Sequence, residues 1–168
     1  MDADARLDAT PESIYAVLTD YADNRFGRIS SVSESHYLEP DTDGTPMTFT
    51  RMEGCVLWHC MSLQRTERHE AEAPYHIRSI TVPESSNFKY STSEWLLERD
   101  GDGTKLSYKL EMEPGFFVPP IVGPWALKRM LSQSAVRIVA RIEWFARELD
   151  GRPVEPSQLD PDASDPRG

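Results

Sequence analysis

Positive charge is scarce in this sequence: 18 Lys and Arg stand against 28 Asp and Glu, for a formal charge of -10 and a pI near 4.8. That balance opposes binding to nucleic acid or anionic lipid headgroups, because neutralising phosphate with Lys and Arg supplies most of that affinity. Long apolar runs are missing as well. No stretch of about 18 apolar residues exists to span a bilayer, and no basic segment followed by an apolar one opens the chain. The first strand is expected almost at Met1, which leaves room for a leader removed from a longer precursor, so the compartment, cytoplasmic or periplasmic, stays open. Cysteine is limited to Cys55 and Cys60. Five residues of extended chain at about 3.3 Å each would hold them roughly 16 Å apart, beyond the span a disulfide bridges. They are expected as free thiols, and no paired Cys or His motif suggests a metal.

Catalytic signatures are absent in the same way. There is no phosphate-binding P-loop and no dinucleotide glycine pattern. A serine nucleophile elbow and a zinc HExxH are also missing. Asp100, Asp102 and Glu111 mimic the spacing of a calcium loop, but Lys105 stands where that loop needs glycine. Neither a metal nor a cofactor is expected.

What is present is one long amphipathic segment with a sheet-like body before it. Residues 114–149, PGFFVPPIVGPWALKRMLSQSAVRIVARIEWFAREL, place Pro119, Pro120 and Pro124 at or before the first turns of a helix, where a missing N–H is tolerated. Ile121, Trp125, Leu131, Ala135, Ile138, Val139, Ile142, Phe145, Ala146 and Leu149 then recur at three- and four-residue steps along one stripe. Such a stripe describes a packing helix or a lid over a hollow sheet. Lys128, Arg129, Arg137, Arg141, Arg147 and Glu148 fall mainly off the stripe, as a solvated helix face or, in the alternative, a local basic face on an acidic body.

Ahead of it, residues 2–8 suit an edge strand. Thr10 is a helix N-cap with Pro11 at the first helical position, and Ile14, Tyr15, Val17, Leu18 and Tyr21 give that helix an apolar side. Residues 25–29 allow one further turn anchored by Phe26 and Ile29. From residue 30 to 113 the texture is that of successive strands: 31–39, 47–53, one long strand over 55–70 after a bend at Gly54, 75–83, 88–99 and 105–113. Asp100-Gly101-Asp102-Gly103 is a hairpin turn, and Leu106, Tyr108, Leu110 and Met112 alternate with Lys105, Ser107, Lys109 and Glu111 as in a sheet with one dry face. Residues 150–168 carry four prolines and almost no large apolar side chain, and are expected to form a disordered tail. One domain over 1–149 is expected.

Among polar residues, His59 lies amid apolar neighbours and is a candidate proton carrier, as is the hydroxyl of Tyr108. Arg51 and Arg78 read as exposed. His36, His69 and His76 lie in polar surroundings and suggest no role.

Three stretches, DATPESIYAVLTDY, GCVLWHCMSLQRTER and EPGFFVPPIVGPWALKRML, in this order of elements, resemble the helix-grip fold of the START-like superfamily over residues 2–149. Polyketide cyclase/dehydrase proteins, coenzyme Q-binding proteins and pollen allergens belong to it. The resemblance implies an α+β fold in which a curved antiparallel sheet of about seven strands wraps round the long C-terminal helix. It also implies an internal cavity for a hydrophobic small molecule or lipid such as a quinone, isoprenoid, fatty acyl chain or polyketide. Carried over by position, Trp95, Leu97, Tyr108, Leu110, Met112, Ile138, Ile142 and Phe145 would line it, with Phe116, Phe117 and Phe26 near an entrance. Binding, sequestration or transport of that ligand is the function this implies. The alternatives are an aromatase, cyclase or dehydratase acting in the same cavity, with His59 or Tyr108 as the catalytic candidates, and a ribosome-associated interaction protein, which the acidic charge disfavours.

Overall fold

The computed structural model describes residues 1–22, 32–56, 59–115 and 123–154, with side chains described outside 54–61 and 123–135. Seven strands form one antiparallel sheet: β1 (Asp2–Leu7), β2 (Val32–Leu38), β3 (Met47–Val56), β4 (His59–Glu72), β5 (His76–Thr81), β6 (Phe88–Asp100) and β7 (Gly103–Pro114). Their spatial order is β1-β7-β6-β5-β4-β3-β2, a meander from β2 to β7 with β1 added at the far edge. Helix α1 (Pro11–Leu18) follows β1, a single 3-10 turn spans Pro83–Ser85, and α2 (Gly123–Leu149) closes the described fold. At 27 residues, α2 is roughly 40 Å long, enough to cross the sheet.

Local chemistry sets the element ends. The Thr10 hydroxyl accepts the Ser13 N–H at 3.3 Å, Pro11 occupies the first helical position and Glu12 faces the positive helix end. The hairpin turn between β6 and β7 puts Gly101 at φ 62°, where a side chain would be strained. Gly103 then passes so close to β1 that an added Cβ would fall 2.5 Å from the Leu7 carbonyl oxygen.

The apolar core forms where α1 and the last turns of α2 meet one end of the sheet. Leu7, Ala9, Ile14, Val17, Leu18, Ile77, Leu97, Leu106, Ile142, Phe145 and Ala146 are all buried in one cluster. Each large side chain among them contributes about 1.5–3 kcal/mol by leaving water.

Two expectations change. The long strand read over 55–70 is two strands: β3 runs on through Gly54 to Val56, and β4 starts at His59. Cys55 and Cys60 are therefore register partners across a hairpin, at a cross-strand Cα spacing of about 4.5–5.5 Å. The separation argued against a bridge does not hold. Residues 57 and 58 carry none of the Gly, Pro or Asn that marks a tight turn, so nothing in the pattern divided the run.

The second change concerns the chain after α2. Asp150 accepts hydrogen bonds from the Thr10 N–H and Oγ1, both at 2.8 Å, and from the Ser13 hydroxyl. Arg152 pairs with Asp8 and donates to the Asp102 carbonyl at 2.7 Å. Asp150 and Arg152 are thus held to the folded body, where a tail was expected from Asp150 onward; residues 155–168 lie outside the described ones.

Candidate functional site

Alternation gives each strand one residue set facing α2. In β6 and β7 the set is as expected: Leu97, Leu106 and Leu110 are buried while Lys105, Lys109 and Glu111 are exposed. In β3 and β4 it is not. Thr48 and Thr50 are wholly buried while Met47 and Phe49 are not, so the inner face of β3 is the threonine face.

Register then assembles a polar row. Thr48 lies opposite Glu67 and Thr50 opposite Arg65; Glu67 lies opposite Thr81 and His69 opposite Ser79; Ser79 lies opposite Ser93. Ser91 stands one step beyond the pair Ile80 and Thr92, as Thr81 does. Thr48, Thr50, Glu67, His69, Ser79, Thr81, Ser91 and Ser93 are all buried. Half of the inner face is therefore lined by hydroxyls, an imidazole and an ion pair.

The ion pair joins Arg65 Nε to a Glu67 carboxylate oxygen at 3.1 Å, with the two side chains 13% and 2% exposed. Burial raises the Glu67 pKa above the ordinary carboxyl value, against the opposing pull of Arg65. His69 is held from both sides: Nε2 lies 2.7 Å from the Thr48 hydroxyl and Nδ1 2.9 Å from that of Ser79. One nitrogen of a neutral ring donates while the other accepts. Burial, then the Arg65 charge, push the His69 pKa down to about 4. This histidine, read as featureless from its polar neighbours, is a buried strut. Tyr21 packs on it with ring centres 5.2 Å apart, and burial, then Glu67, hold the Tyr21 phenol well above its usual pKa.

Three buried atoms in this half have no partner, Glu67 Oε1, Thr81 Oγ1 and Ser91 Oγ, and Arg65 Nε, paired with Glu67 by charge, makes no well-aligned hydrogen bond. Leaving a buried donor or acceptor unpaired costs about 1–3 kcal/mol each.

Of the sequence candidates, Trp95, Tyr108 and Met112 fall on the boundary between the two halves. Trp95 and Tyr108 are register partners with ring centres 4.0 Å apart, and both remain half-buried, as does Met112. Burial pushes the Tyr108 pKa up to about 12, with Arg65 pulling it down and Glu67 pushing it up. Leu97, Leu110, Ile142 and Phe145 are buried, and Ile138 packs against the core from its edge. His59 is the first residue of β4, opposite Val56, and its side chain is not among those described. Phe26, Phe116 and Phe117 lie outside the described residues. Arg78 is exposed, as expected, and Arg51 is half-buried; each is paired with a carboxylate, Arg51 with Glu34 at 2.7 Å and Arg78 with Glu70 at 3.4 Å. Sequence reasoning missed Arg65, Glu67, Thr81 and Ser91. The available signal was a run, QRTERHE, too polar on both faces for a strand that long.

A seven-stranded antiparallel sheet with its first strand carried to the far edge, and a long C-terminal helix packed on the inner face, defines the helix-grip fold of the START-like superfamily. Solved structures agree on that fold. A START superfamily protein from Mycobacterium smegmatis superposes with a TM-score of 0.68 at 17% identity, covering 89% of this chain and 97% of that one. The Zhui aromatase/cyclase from Streptomyces sp. R1128 gives 0.67 at 14% identity over 91% and 98%. The 18 kDa protein CC1736 from Caulobacter crescentus gives 0.65 at 16% over 90% and 97%. Among curated proteins, no sequence matches the chain. The chain belongs to the polyketide cyclase / dehydrase and lipid transport family, whose sequence profile matches residues 1–143. No helix among the described residues is long and apolar enough to cross a membrane.

Proposed function

We propose that the protein binds a hydrophobic small molecule or lipid between the inner face of the sheet and α2, and sequesters or carries it. One observation carries this reading. Trp95 and Tyr108 sit in mid-sheet on the inner face yet stay half-buried, whereas Leu97 and Leu106, one register step away, are sealed at 2% and 1% exposure. Aromatic area left open beside a closed core is area a ligand gains by covering, at about 25 cal/mol per Å2. The family's association with lipid transport supports it.

Native mass spectrometry of the purified protein, then solvent extraction, tests the proposal. An apolar adduct at one per chain is expected, with Trp95→Ala weakening its rebinding about tenfold. An empty protein whose tryptophan fluorescence is unmoved by quinone, fatty amide and polyphenol probes would sink it.

A second reading, an aromatase, cyclase or dehydratase using the same space, draws on Glu67. Its raised pKa brings a buried carboxyl closer to the range in which it both gives and takes a proton. That reading predicts, during incubation, loss of one water from the bound molecule or a new ring absorbance at unchanged mass, either of them lost in Glu67→Gln.

A further inference from the structure

The charge inside this protein is balanced before any ligand arrives. Arg65 is the only cation along the inner polar row among the described residues, and Glu67 already sits 3.1 Å from it. What is left around the Arg65–Glu67 pair is one acceptor oxygen on Glu67 and the hydroxyls of Thr81 and Ser91, each able to donate and accept, the Arg65 Nε–H being engaged by the ion pair. These groups lie on three neighbouring strands, β4, β5 and β6, so the patch is about 10 Å wide. Their sum is neutral and offers both senses of hydrogen bond.

We propose that this patch receives an uncharged, hydrogen-bonding head group, a hydroxyl, phenol or primary amide on an apolar skeleton, and rejects the same skeleton ending in a carboxylate. The proposal rests on the ligand-binding reading above and deepens it. A neutral head with a donor and an acceptor satisfies the orphaned atoms without disturbing the ion pair. An anionic head that approaches Arg65 at its Nε edge must displace Glu67, a carboxylate with 2% of its side chain exposed and so no water to retreat into. Otherwise it lies beside a like charge in a poorly screened interior. The adjoining apolar end, with Trp95 and Tyr108 stacked at 4.0 Å, takes the skeleton. The polar row therefore works as a filter on charge, while the aromatic pair supplies affinity that is indifferent to the head.

Decanoic acid, decanamide and decanol, equal in chain and different in head, are titrated into the full-length protein at pH 8 by calorimetry and tryptophan fluorescence. Amide and alcohol are expected to bind at least tenfold more tightly than the ionised acid. Glu67→Gln, which frees the Arg65 charge, is expected to bring the acid level with the amide or ahead of it. Thr81→Val with Ser91→Ala, which removes the hydroxyls and leaves the ion pair, is expected to weaken amide and alcohol severalfold and leave the acid where it was. These two substitutions remove unpaired groups, so this variant tests the idea even where Glu67→Gln fails to fold. Wild-type protein that binds acid as tightly as amide, or hydroxyl removal that weakens all three probes alike, overturns the inference while the ligand-binding reading stands. Binding of none of the three overturns both.

Discussion

The two halves of the inner face are built from the same alternation and end as opposites. Under the end of α2, strands β1, β6 and β7 present Leu7, Leu97 and Leu106 to Ile142, Phe145 and Ala146, and the joint is closed. Across β3, β4 and β5 the corresponding positions hold Thr48, Arg65, Glu67, His69, Ser79 and Thr81, and atoms there lack partners. The first half carries the stability of the fold. The second is tolerated by it, and proteins retain such local deficits where function uses them.

Substitutions that treat the halves alike sharpen or break this contrast. The largest effect is expected at the closed end: Phe145→Ala empties a site 3% exposed, at a cost of about 3–5 kcal/mol in urea unfolding. Next comes acid. His69 titrates near 4 in the fold against 6.5 unfolded, so below pH 6.5 the unfolded chain takes up the proton that the folded one refuses. Stability supplied by the neutral ring is therefore present at pH 7 and lost as pH falls toward 4, by up to about 3 kcal/mol at 1.36 kcal/mol per pKa unit. Glu67, with its raised pKa, contributes in the opposite sense in the lower part of that window, so the test is the difference between wild type and His69→Gln. A pH slope unchanged in the variant removes His69 from the account.

A smaller loss, about 1–2 kcal/mol, is expected for Asp150→Ala, which strips a partner from the α1 N-cap. Burial works against the Asp150 charge, but the hydrogen bonds from Ser13 and Thr10 outweigh it and lower its pKa. Its contribution is thus full above the usual carboxyl pKa and fades only as pH falls below it. Chemical melts at pH 7 and pH 3 should show the wild type approaching the variant at the lower value. The smallest effect belongs to the open half: Ser91→Ala, removing a hydroxyl with no partner, should shift stability by less than about 1 kcal/mol and in the stabilising direction. A loss there comparable to Phe145→Ala would erase the distinction between the halves.

Much of this was legible in the residues. Thr10-Pro11, the Asp-Gly-Asp-Gly turn and the alternation of β7 each state their structure through backbone preference or face polarity, which a single chain displays. The inner face of β3 and β4 is the opposite case. In QRTERHE the outward Gln64, Arg68 and Glu70 are as polar as the inward Arg65, Glu67 and His69, so alternation carries no contrast. Only the register with Thr48, Thr50, Thr81 and Ser79 reveals which set is buried. The same blindness explains Cys55 and Cys60: pairing across a hairpin depends on where the chain turns, and residues 57 and 58 carry no turn chemistry. A polar interior is a property of the assembled sheet.

The knot of Thr10, Ser13 and Asp150 joins positions about 140 residues apart, which makes completion of the molecule a matter of time as well as of contacts. A ribosome adding roughly 5–20 residues per second needs about 7–28 s to travel from one partner to the other. In the last part of that interval, once β7 has been made, the nascent sheet is without the helix that roofs its inner face. A chain whose waiting surface is half threonine, serine and ion pair exposes far less that is adhesive than one lined with leucine throughout, so the same residues that leave a site unfilled also make the delay safer.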